Sequence, residues 1–211
     1  MKEVEIKNKW EDITISEYQS IMEIIENPDL SLEAKQNELM SVVTDLPYED
    51  ILRLKVVEYK KILNNMEFLK QPIPSKHIGK TIIINNQKFN VITKLSDILA
   101  GQYLELQYLM KGENDYDNIH KIAALFIIPA DHKYGDYDMV EHQEFLKLNL
   151  DIVSAYMVFF YLHNLSKKLY IAFHKYLTKE KKMMMKEAKR KNKIPKMNMK
   201  IHSQDNGPVL S

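Results

Sequence analysis

The chain has 211 residues, 45% hydrophobic and 28% charged, with a formal net charge of +1; this suits one soluble globular domain or two small ones. Cysteine is absent, which excludes disulfides, thiolate metal sites and cysteine nucleophiles and fits a reducing compartment. The near-neutral total hides an asymmetry: residues 1–178 hold 20 Lys or Arg against 26 Asp or Glu, net −6, and residues 179–211 hold 10 against 3, net +7. Such a split points to binding rather than chemistry. With only 5 glycines, a helical chain is favoured over one built on strands and tight turns.

The start, Met1-Lys2-Glu3-Val4-Glu5, lacks the apolar core of a signal peptide. The longest apolar stretch, 152–162, is interrupted by Ser154 and falls far short of the roughly 20 residues that span a bilayer. A soluble intracellular product without a membrane partner is therefore expected.

In chain order, Ser16-Glu17-Tyr18-Gln19 reads as a capping box, followed by Tyr18, Ile21, Met22 and Ile25 at helical spacing until Asn27-Pro28. Ser31 caps a second helix with Leu32, Leu39, Val42 and Val43 on its apolar face. Pro47 stands where a first-turn proline belongs, with Glu49 and Asp50 at the positive helix end. The third run, through Ile51, Leu54, Tyr59, Ile62, Leu63 and Phe68, has a break near Leu54-Lys55. Residues 81–84 and 88–92 are β-rich and flank Asn85-Asn86-Gln87, whose asparagines tolerate a left-handed backbone. This predicts a β-hairpin over about 81–92, which must dock on the helices or extend a neighbour's sheet to be stable.

Ser96-Asp97 opens a helix carrying Ile98, Leu99, Tyr103, Leu106, Leu109 and Met110, weakened by Gly101. Asn114 or Asp115 starts another through Ile119, Ile122, Ala123, Phe126 and Ile127, stopped by Pro129. Residues 130–138 are a polar loop, and a short helix follows around 140–148. A final long helix begins near Asp151 and leads into the basic tail, with no breaker before Pro195.

The segment 131–144 gathers His132, Asp136, Asp138, Glu141, His142 and Glu144. Imidazole and carboxylate together can hold a divalent ion, but no HExxH or other fixed-spacing motif is present. A solvated loop entering a helix accounts for the same residues. GxSxG, GxxxxGK[ST] and GxGxxG are absent, and no carboxylate pair stands out. Neither an enzyme, a cofactor nor a metal is expected.

The aromatic residues Tyr156, Phe159, Phe160, Tyr170 and Phe173 belong either to the core or to a subunit interface, where such rings are enriched. The tail concentrates Lys179, Lys181, Lys182, Lys186, Lys189, Arg190, Lys191, Lys193, Lys196 and Lys200, interrupted by Met183-Met184-Met185. It lacks aromatics for base stacking. Its charge suits non-specific phosphate contact or the acidic surface of a neighbouring subunit.

Two stretches carry a resemblance. The first is Trp10-Glu-Asp-Ile-Thr-Ile-Ser-Glu-Tyr-Gln19, continued by Leu46-Pro47-Tyr48-Glu49-Asp50-Ile51 and Met66-Glu67-Phe68-Leu69. The second is Leu95-Ser96-Asp97-Ile98-Leu99-Ala100-Gly101-Gln102-Tyr103-Leu104-Glu105-Leu106, followed by Asn118-Ile119-His120-Lys121-Ile122 and Val158-Phe159-Phe160. Together, over about residues 10–177, they resemble small assembly and virion proteins of tailed bacteriophages, especially crAss-like phages of gut Bacteroidetes. The shared features are helix starts and core positions, so no site residue transfers. The resemblance implies a non-enzymatic role at the portal vertex, neck or tail, as a head–tail connector, ring component or decoration. Its partners would be portal, capsid or tail subunits, and it would be assembled in the host cytoplasm and kept in the virion. The alternatives are a tail-assembly chaperone that leaves before maturation and a nucleic-acid-binding protein that uses the basic tail.

The expected fold is mainly α: a helical assembly domain over 1–178 with one β-hairpin and a long C-terminal helix, then a basic tail over 179–211.

Overall fold

The computed structural model describes residues 5–111, 116–159 and Met183. The chain divides into two units, Met1–Leu165 and Ser166–Ser211. In the second, Met183 is helical and more than half exposed. The remaining description concerns the first. The expected boundary at 178/179 and the run of the last helix into the tail lie outside the described residues.

The first unit is mostly helical with one small antiparallel sheet. Helix α1 (Ile15–Glu26) begins at Thr14, not at Ser16. Thr14 Oγ1 accepts from Glu17 N at 3.3 Å, and Glu17 Oε2 accepts from Thr14 N at 2.9 Å. The expected box was therefore two residues late. Thr-x-x-Glu fits the reciprocal pattern as well as Ser-x-x-Gln does, and it lets Ile13 and Ile15 both be fully buried. Gln19, freed from capping, is buried and donates to the Tyr116 and Asp117 carbonyls at 3.0 and 3.1 Å.

Ser31 caps α2 (Leu32–Thr44) as expected, accepting from Ala34 N at 3.2 Å. Helix α2 ends on Asp45 in the left-handed region, φ 54°. Lys7 then bridges Glu17 at 2.6 Å and Asp45 at 2.8 Å, tying the start of α1 to the end of α2. Leu32 does not lie on a buried face, because it is 86% exposed. Pro47 is the N-cap of the single-turn α3 (Tyr48–Ile51), one position before the first turn. The expected break falls at 52–55, ahead of α4 (Val56–Asn65) and a 3-10 turn (Met66–Lys70).

The hairpin is present as β1 (Thr81–Ile84) and β2 (Gln87–Val91), with Asn85 at φ 48° and Asn86 at φ 63°. Two consecutive positive φ values make the tight turn whose twist matches the strands. The hairpin docks on a helix: Phe89 stacks on His142 at 5.7 Å and Phe145 at 5.6 Å, and Asn85 Nδ2 donates to Asn149 Oδ1 at 2.6 Å.

A third strand was not anticipated. β3 (Ile127–Pro129) pairs antiparallel with β2, giving the order β1-β2-β3. Ala130 N donates to Lys88 O at 3.0 Å, and Ile92 N donates to Phe126 O at 2.8 Å. This parity turns the nitrogen of Pro129 toward the free edge, where its missing N–H breaks no ladder bond. Pro129 thus ends a strand rather than a helix.

Helix α5 (Ala100–Leu109) starts later than Ser96, which lies in a separate 3-10 turn (Leu95–Asp97). Leu99 is its N-cap in extended conformation, and Leu99 N donates to Gln102 Oε1 at 2.9 Å. Helix α6 (Ile119–Phe126) begins at Ile119 after a turn at 116–118, past the expected Asn114 or Asp115. Residues 122–127 are no more than 2% exposed, which makes α6 the centre of the core. Helix α7 (Met139–Asn149) opens on Asp138, whose Oδ1 accepts from Val140 N and Glu141 N at 2.9 and 3.0 Å. Residues 152–159, here α8, are helical, and Asp151 Oδ1 accepts from Ser154 N at 2.8 Å. A bridge at Thr14 and Asp151 joins the first and last of these elements: Ile15 N donates to Leu150 O at 3.1 Å and Ile152 N to Ile13 O at 2.8 Å.

Candidate interaction site

The most apolar concavity among the described residues is a groove of about 620 Å3 between the end of α1, the start of α2, α4 and the 3-10 turn. Its apolar lining is Ile25, Leu32, Leu39, Leu63, Met66 and Leu69. The groove exists because Asn27-Pro28 turns the chain between α1 and α2, with Asn27 Oδ1 accepting from Asp29 N at 2.9 Å. Lys35 Nζ donates to Ile25 O at 2.6 Å, a cation on an unpaired carbonyl at a helix C-terminus. Tyr59 OH donates to Asn37 Oδ1 at 2.8 Å and fixes α4 beside α2.

The floor is rigid. Trp10 meets Phe68 edge-on at 5.3 Å and Tyr18 at 6.0 Å, and its Nε1 donates to Gln71 O at 3.1 Å. These contacts hold the 3-10 turn that carries Met66 and Leu69. The rim polar groups are Lys35, Gln36, Asn64, Glu67 and Lys70, with Lys70 paired to Glu67 at 2.8 Å. That pair is exposed and adds little stability. An open apolar trough with a polar rim has the form of a helix-receiving surface.

A second concavity of about 570 Å3 lies beside the sheet, between β2 and the loop leading to α7. It contains most of the expected imidazole and carboxylate group, but the structure separates their tasks. Asp138 is occupied as the α7 cap. His142 is buried, with Nε2 2.7 Å from Ile127 O. Burial lowers the His142 imidazole below its ordinary value, against the opposing pull of that carbonyl. His132 rests edge-on against Tyr137 at 6.1 Å. Tyr137 OH is buried without a hydrogen-bond partner among the described residues, and burial pushes it up to about 12. Asp136 and Glu144 do not line this concavity. No three His, Asp or Glu among the described residues are placed to hold a metal ion.

Of the aromatic candidates, Tyr156 and Phe159 are half-buried on α8, and Phe159 packs against the core. Phe160, Tyr170 and Phe173 lie outside the described residues, as do Lys179 to Lys200. Among the described residues no helix is long and apolar enough to cross a membrane. The groove itself was missed because Leu32, Leu39 and Leu63 fit a helical core pattern equally well. The available signal was position: Leu32 follows its cap directly and projects from the helix end.

His120 on α6 is buried beside Gln19, with Gln19 Nε2 3.4 Å from His120 Nδ1. Burial pushes its imidazole down to about 4, aided by Lys147 and Lys121 and opposed by Glu144. The folded value lies below the unfolded one, so protonation favours the unfolded chain. The stability held by neutral His120 is complete above about pH 6.5 and is lost as pH falls toward 4, by roughly 3 kcal/mol. Urea unfolding at pH 7 and pH 4.5 is expected to show this drop, and His120→Gln is expected to reduce it.

Comparison of the chain with protein-family models, curated proteins and solved structures gives no match.

Proposed function

We propose that this chain is a non-enzymatic assembly subunit of a phage particle, acting through contacts with other subunits at the portal vertex, neck or tail. The observation that carries the subunit-contact reading is the groove, which offers six apolar side chains on a rigid floor. Its outermost member, Leu32, is 86% exposed. A large apolar side chain left open beside a concave apolar surface is stabilised when a partner covers it, at about 25 cal/mol per Å2 removed from water. The placement in a phage particle rests on the resemblance of residues 10–177. The basic arm over 179–211 complements the acidic body of a neighbour or packaged DNA.

The test is the composition of purified mature particles by quantitative mass spectrometry. The expected result is this chain at a fixed copy number per particle. Its presence in infected lysates but absence from particles would overturn the virion reading and identify a chaperone that departs. A lysate pool bound only to nucleic acid would overturn both.

A further inference from the structure

We propose that the groove between α2 and α4 receives the solvent-facing side of α5 from a second copy of this chain. This names the partner within the assembly reading above and rests on it.

Helix α5 is apolar on both sides, yet only one side is covered. Gln102 and Leu106 are buried, with Gln102 Nε2 donating to Leu125 O of α6 at 2.7 Å. The opposite row is Gly101, Leu104 and Tyr108, spaced three and four apart. Leu104 is 65% exposed and Tyr108 77%. A Cβ added at Gly101 would meet nothing within 4 Å, so the backbone there is open to close approach. A surface helix ordinarily turns its charges outward. The one charge within α5, Glu105, instead accepts from Tyr134 OH at 2.6 Å. Among the described helices, α5 alone sets two large apolar side chains, each more than half exposed, four residues apart. That spacing is how a helix anchors in an apolar groove.

Charge selects between the occupants this chain can supply. The groove rim carries Lys35 and Lys70 against Glu67, net +1. Across 94–117 the sequence has Lys94 and Lys111 against Asp97, Glu105, Glu113, Asp115 and Asp117, net −3. The α5 region therefore meets a rim of opposite sign. The lysine-rich segment 179–200 would meet one of its own sign. Groove and helix share no residue, so the contact is head-to-tail: each copy gives its α5 to one neighbour and its groove to another. Such contacts repeat until they close a ring or extend as a filament.

The experiment is sedimentation of the full chain over about 1–100 μM, the range of a micromolar contact, with two folded variants. Leu104→Asp/Tyr108→Asp spoils the helix face, and Ile25→Asp/Leu32→Asp spoils the groove, all at exposed positions. The wild-type chain is expected to form concentration-dependent oligomers, and each variant alone is expected to remain at 24.9 kDa. An equimolar mixture of the variants has one intact groove and one intact helix, and is expected to stop at the heterodimer. A wild type that stays monomeric, a variant that self-associates as well as wild type, or a mixture of folded variants without heterodimer would each overturn the pairing. A monomeric chain still present in particles would overturn the pairing alone and leave the assembly reading standing.

Discussion

Phe126→Ala is expected to destabilise the first unit by about 3–5 kcal/mol, the range for emptying a fully packed aromatic site. Phe126 is 0% exposed at the end of α6. Its carbonyl accepts from Ile92 N at 2.8 Å where the helix hands over to β3. Removing the ring leaves a void at the junction of helix and sheet, and neighbours on two elements cannot collapse into it together. A domain of this size has about 5–15 kcal/mol in all, so the variant should sit near its unfolding threshold at 37 °C. Urea denaturation with a shifted midpoint and an unchanged slope would confirm it; a midpoint within about 1 kcal/mol of wild type would refute the packing described for α6.

The second large effect concerns the arm. Deleting 179–211 removes ten basic and three acidic residues and leaves a chain of net −6. For the intact chain, contact with six or more phosphates implies roughly 10^3–10^5-fold weaker DNA binding between 50 and 200 mM salt. The truncated chain is expected to show no retention on mixed-sequence duplex DNA in fluorescence anisotropy at either salt. Its urea midpoint should be unchanged, because every residue of the described core precedes 160. Equal affinity with and without the arm, or a salt-independent affinity, would remove the arm from any polyanion contact.

The parts of the fold legible in the sequence were those where a local chemical requirement has one solution. Ser31 had the only hydroxyl ahead of α2, and two consecutive asparagines could accept the left-handed turn at 85–86. The helix starts were less legible where two patterns competed. Thr14-x-x-Glu17 and Ser16-x-x-Gln19 both satisfy a capping box, and the choice was made far away, by the bridge to Asp151 and by carbonyls at 116 and 117 that need Gln19. Strand β3 was illegible because its β-branched pair follows a helix directly and its proline reads as a helix stop. Only the parity of pairing with β2 places that proline harmlessly.

The candidate site was harder to read than the fold. Helical periodicity marks a residue as apolar-facing but does not say whether anything faces it. Leu32 and Leu104 have the same signature as Val43 and Leu106, yet the first two are exposed and the last two buried. The imidazole and carboxylate group near α7 misled for a related reason: proximity in sequence brought the residues together, while Asp138 was already engaged by the backbone and His142 turned inward.

The stitch between 13–15 and 150–152 has a bearing on biosynthesis. Ile13 and Ile15 leave the ribosome roughly 135 residues before the backbone groups they pair with, about 7–27 s earlier at 5–20 residues per second. Until then the nascent chain carries its amino-terminal isoleucines without their final shelter, exposed to whatever holdase is at hand. Completion of the fold is thereby timed to the last turns of translation.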